Sequence, residues 1–116
     1  MSRSAASRAH RRGEPPPSPE PLPAPALDSH THLDIVVGER PAHGAGDEGW
    51  PDEAAVDAEI EAAAAVGIPR LVQVGVDVPS SRWSAGLAAR HPRVLAAVAI
   101  HPNEAGTGNV GGEGAA

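Results

Sequence analysis

Apolar positions cluster in three short runs, the first apolar only at its start, and the segments between them carry apolar residues at wider, helix-like spacing. The first run leads from Ala26 and Leu27 into Asp28-Ser29-His30-Thr31-His32-Leu33-Asp34 and reads as a strand ending near Asp34, with Ile35 to Val37 either extending it or opening a loop. Pro51 then opens a helical stretch to about Val66, where Gly67 stops it. Val56, Ile60 and Ala63 fall at i, i+4 and i+7 on one face, while Glu53, Asp57 and Glu61 form an acidic row that suits solvent. Leu71 to Val76, rich in valine and bounded by Pro69 and Pro79, reads as a buried strand with Asp77 at its far end. A second helix starts near Ser80 or Ser81, either of which can cap it, and ends by Pro92, with Trp83 and Leu87 as its largest buried pair. Val94 to Ile100 is the third strand, with His101 and Pro102 at its exit. Strands that are apolar throughout, alternating with helices, predict an α/β arrangement with a parallel sheet covered by helices on at least one face.

Both ends of the chain lack this pattern. Residues 1–25 carry Arg3, Arg8, Arg11 and Arg12 and then a proline-dense run from Pro15 to Pro25, which predicts a disordered leader. Residues 106–116 are a glycine-rich tail without a core pattern, so the folded unit is expected over residues 26–105. Gly38 to Trp50 is a glycine-rich connection on which His43 reads as a solvated loop residue.

The chemistry concentrates in the first strand. Side chains alternate faces along a regular strand, so Asp28, His30 and His32 share one face with neighbours about 6.6 Å apart. Two imidazoles so placed can converge on one divalent ion, which they would hold at about 2.0 to 2.1 Å, and Asp28 can orient a ring from behind. Asp77 and His101 sit at the carboxyl ends of the second and third strands, where α/β sheets build their sites, and are candidates for a third ligand or for substrate contact.

Composition narrows the choice. The 116 residues contain no cysteine, so any metal must rest on nitrogen and oxygen. A net charge of −6 excludes a generally basic nucleic-acid surface, although a metal-centred nuclease can reach phosphate through its ions. Phe and Tyr are absent, leaving Trp50 and Trp83 as the aromatic residues and few large groups to fill a core. No apolar run approaches the roughly 18 residues of a membrane span, and no secretory signal is evident, so a cytoplasmic protein is expected.

The string Asp28-x-His30-x-His32-Leu33-Asp34 resembles the N-terminal signature of the TatD family of metal-dependent hydrolases, many of which are deoxyribonucleases. Two further segments are similar to that family in the same order: Val66-Gly67-Ile68 with Leu71 to Asp77, and Ala99-Ile100-His101-Pro102-Asn103. The second of these departs from the family's Gly-x-His-Pro-His pattern at Ala99 and Asn103. The resemblance implies a (β/α)8 TIM barrel of which residues 26–105 would be the first three β/α units, an incomplete barrel. It implies that His30 and His32 bind a divalent ion (Zn, Mg or Mn) and that the substrate is DNA or another phosphoester. The family's Gly-Glu-x-Gly-Leu-Asp motif has no counterpart; Gly112-Glu113-Gly114 has neither a preceding strand nor a following Leu-Asp.

Two imidazoles fall short of the three protein ligands typical of a catalytic zinc site, so no catalytic residue is assigned and the chain alone is expected to be inactive. One alternative is a non-catalytic module whose open sheet edge pairs with a partner chain. Another is a fragment of a different Asp-x-His-x-His phosphoesterase, of the polymerase and histidinol phosphatase type.

Overall fold

The computed structural model describes residues 16–38 and 49–106. Three strands, β1 (Leu27–Thr31), β2 (Arg70–Val74) and β3 (Val94–Ala97), form one parallel sheet in the order β1-β2-β3. Four helices accompany them among the described residues: α1 (Leu33–Val36), α2 (Glu53–Ala65), α3 (Val78–Arg90) and α4 (Pro102–Ala105). The α/β reading and the parallel sheet are therefore observed. Leu33, Val56, Ile60, Leu71, Leu87 and Val94 make one buried cluster, with Val37, Trp83 and Ala88 packed against it.

Why α2 stops where it does is visible at Gly67, whose φ of +98° is open to glycine at little cost. The segment before β1 crosses this helix end: Leu22 N–H donates to the Val66 carbonyl (2.9 Å) and Ala26 N–H to the Gly67 carbonyl (2.9 Å). Two carbonyls at the end of the helix are satisfied in this way. Residues 16–25, read from sequence as part of a leader, are thus pinned to the fold near their carboxyl end, while residues 1–15 lie outside the described residues.

Four sequence expectations differ from what is observed. The first strand ends at Thr31, and Leu33–Val36 turns into a short helix where an extension or a loop was expected. The helix α3 starts at Val78, because Asp77 rather than either serine is its cap. Its carboxylate accepts the Ser80 N–H (2.8 Å) while the Ser80 hydroxyl accepts the Asp77 N–H (3.0 Å), a reciprocal capping box. The third strand stops at Ala97 instead of Ile100, because β2 has already ended and the Ser81 hydroxyl takes both the N–H and the carbonyl of Ala99, each at 3.1 Å. This apolar run leaves Leu95, Val98 and Ile100 exposed, along an outer edge that has no strand partner among the described residues.

The acidic row of α2 is likewise not merely solvated. Arg90 Nη1 reaches Asp57 Oδ1 (3.0 Å), and Arg93 Nε reaches Glu61 Oε1 (3.2 Å). These pairs tie α2 to the end of α3 and the start of β3. Trp83, half-buried on α3, stacks on Trp50 with ring centroids 5.5 Å apart and planes 6° from parallel, which fastens the carboxyl end of the glycine-rich connection. Gly75, between β2 and α3, is required by close approach: a Cβ there would lie 2.7 Å from the Ser81 Cα.

Candidate metal centre

The parallel direction of the strands places His32, Asp77 and His101 beyond the carboxyl ends of β1, β2 and β3, with His30 inside the last turn of pleat of β1. His30 and His32 come together. Their Nε2 atoms are 3.2 Å apart and their rings meet edge to face at 80°, with centroids 4.9 Å apart.

This convergence does not arise from the regular alternation that the sequence suggested. Along β1 the register moves from Asp28 opposite Leu71 to Thr31 opposite Gln73, so three steps on β1 match two on β2. The extra residue is a bulge, a device that re-aims side chains. Within it, Asp28 Oδ1 accepts the N–H of His30 at 3.0 Å. Asp28 thus acts on the backbone of His30, where ring orientation was the expectation.

The ring of His32 is oriented from β2. Its Nδ1 lies 2.8 Å from the Val74 carbonyl oxygen, which can only accept, so Nδ1 carries the proton and Nε2 presents a lone pair. With that tautomer, His30 Nε2–H is the donor to the His32 lone pair. Two imidazole nitrogens on one tetrahedral ion, each at about 2.0 to 2.1 Å, would be about 3.3 to 3.4 Å apart. The observed 3.2 Å is within a few tenths of an ångström of that span, so the two rings fit a shared divalent ion once His30 turns its own Nε2 lone pair inward.

Behind His32 lies a polar cluster that sequence reading passed over. Gln73, wholly buried on β2, accepts the Leu33 N–H through Oε1 (2.7 Å) and donates through Nε2 to Asp34 Oδ1 (2.9 Å). The signal was a lone amide at an inward position of an otherwise apolar run.

The other candidates stand apart from the pair. Asp77 is buried and its carboxylate is engaged by Ser80, through the backbone N–H and through the hydroxyl at 2.5 Å. His101 is exposed at the start of α4, where its Nδ1 accepts the Asn103 N–H (3.1 Å) and its own N–H donates to the Val76 carbonyl (2.7 Å). Neither supplies the third ligand anticipated for them: among the described residues, no group of three or more His, Cys, Asp or Glu side chains could hold an ion. His43, Asp47, Glu48 and Glu113 lie outside the described residues. Because Asp77 serves the helix, Asp77→Ala is expected to lower stability by about 1 kcal/mol, the ordinary cost of losing an N-cap. The same variant should leave zinc affinity at the histidine pair unchanged, and paired thermal melts and calorimetric titrations check both halves.

Over 79 residues, 68% of its length, the chain is 40% identical to the uncharacterized metal-dependent hydrolase TatD of Mycobacterium tuberculosis (strain ATCC 25618 / H37Rv). The chain spans 25% of the length of that relative. No protein-family model and no solved structure matches the chain. Among the described residues, no helix is long and apolar enough to cross a membrane.

Proposed function

We propose that residues 26–105 are part of a TatD-like metal-dependent hydrolase in which His30 and His32 hold one divalent ion and the substrate is a phosphoester, DNA among the candidates. The observation that carries this reading is the 3.2 Å approach of the two Nε2 atoms, with the His32 tautomer fixed by the Val74 carbonyl. The similarity to a metal-dependent hydrolase over 79 residues, 68% of the chain, supports the same reading.

A divalent ion bound at such a pair supplies Lewis acidity toward water and toward phosphoryl oxygen. The residues of this chain do the holding. Val74 keeps the Nε2 lone pair of His32 directed at the shared point, and Asp28 sets the backbone from which His30 projects. Two imidazoles are one protein ligand short of an ordinary catalytic zinc site, so further ligands must come from elsewhere for efficient turnover. The test is an assay of the pure chain with a chromogenic phosphodiester and with DNA, in the presence of zinc, magnesium or manganese. Ion binding with little or no hydrolysis is the expected result. Metal-dependent cleavage that survives stringent purification and disappears in His30→Ala/His32→Ala would contradict the inactivity of the isolated chain, while an absence of ion binding would remove the site.

A further inference from the structure

We infer that Gln73 is the positioning residue of this site: its side-chain amide locks the junction between β1 and α1 and thereby fixes the ring of His32. The inference rests on the proposed ion-binding role of the pair, but its geometry stands without the ion. His32 is the residue from which α1 starts, and no side chain of its own caps that helix. The N–H groups at the start of a helix lack intrahelical acceptors, and the first of them, on Leu33, is taken by Gln73 Oε1 from across the sheet. The other end of the same amide donates to Asp34 Oδ1. Adjacent on β2, the Val74 carbonyl accepts the imidazole N–H. Two consecutive residues of β2 therefore hold three successive residues of the β1–α1 junction: Val74 takes His32, and Gln73 takes Leu33 and Asp34.

Burial gives this clamp its force. Gln73 is 0% exposed, Leu33 3% and Asp34 2%, so water does not compete for these bonds. A side-chain amide can accept from a backbone N–H through its oxygen and donate to a carboxylate through its nitrogen at the same time. A purely apolar residue at position 73 would fill the space and leave the Leu33 N–H without its acceptor. The backbone at His32 would then be free to rotate, and the Nδ1–Val74 bond that selects the tautomer would lose its alignment.

Three variants separate positioning from mere packing. Gln73→Met keeps the length of the side chain and removes both bonds, Gln73→Glu sets a carboxylate against Asp34, and Gln73→Glu combined with Asp34→Asn reverses donor and acceptor while keeping the total charge. Nitrogen-15 NMR of the histidine rings, recorded without metal, reads the His32 tautomer; zinc calorimetry reads affinity; circular dichroism confirms folding. The parent chain and the double exchange are expected to show one His32 tautomer, protonated at Nδ1. Folded Gln73→Met and Gln73→Glu should show mixed tautomers and zinc affinity lower by about 10- to 100-fold, as for loss of an outer-shell partner elsewhere. A folded Gln73→Met with the parent tautomer and parent affinity would overturn the inference. If the single variants do not fold, the double exchange decides: the parent tautomer supports the clamp, and a mixture overturns it. Failure of the parent chain to bind zinc would count against the metal site alone, because the tautomer readout needs no ion.

Discussion

Zinc titrated into the chain carrying His30→Ala and His32→Ala together is expected to bind more than about 100-fold more weakly than to the parent chain, since removing both direct ligands must exceed the 10- to 100-fold cost of losing an outer-shell partner. The two rings meet at their Nε2 atoms, 3.2 Å apart, and no third His, Cys, Asp or Glu joins them among the described residues. With no such group among the described residues to compensate, the loss should be close to complete. Each single variant should retain weak binding through the remaining imidazole. Because His30 is exposed and His32 only half-buried, the fold should survive the double change, and a thermal melt run beside the calorimetry checks that it has. Equal affinity in parent and double variant would remove the assignment.

Ile60→Ala is expected to destabilise the chain by about 2 to 5 kcal/mol, lowering the melting midpoint by at least about 8 °C. Ile60 is 1% exposed and, with Leu87, is among the largest fully buried side chains of the described residues. It belongs to a core of few large groups, in which it shares a cluster with Leu33, the neighbour of His32 in the chain. Small domains bury a modest share of their surface, so one cavity of this size removes a large part of the net stability. Ile60→Val, which deletes one methylene, should cost about 0.5 to 1.5 kcal/mol. Equal midpoints for Ile60→Ala and the parent chain would mean that this cluster does not hold the fold together.

The alternation of strands and helices was legible because each of the three apolar runs held one strand, and Gly67 ended α2 as expected. What escaped the sequence was set by contacts between distant residues. Leu33-Asp34-Ile35-Val36 continues an apolar run and reads as extended; it is helical in the fold, with its first N–H taken by Gln73, 40 residues later. The end of β3 was misplaced for a similar reason: nothing in Val94 to Ile100 marks Ala97, and the limit comes from the end of β2 and the Ser81 hydroxyl. The acidic row on α2 looked solvated because Arg90 and Arg93, which meet it, lie on other elements.

At the site, His-x-His spacing drew attention to two rings that lie together in the fold, but for a reason the spacing did not contain. Regular pleating was the premise, whereas a bulge at Asp28 and a helix start at His32 produce the geometry. Asp77 drew attention by its place at the end of a strand, yet the same place makes it the cap of the next helix. A histidine at a strand exit can equally well cap backbone groups, and the ring of His101 is found accepting the Asn103 N–H.

X-ray absorption at the zinc edge, on the parent chain loaded with one equivalent of the ion, tests the shared imidazole pair most directly. Two imidazole nitrogens per zinc, at about 2.0 to 2.1 Å, with the remaining scattering from oxygen, is the result expected. A spectrum with one imidazole or none, or one unchanged in His30→Ala/His32→Ala, would contradict it.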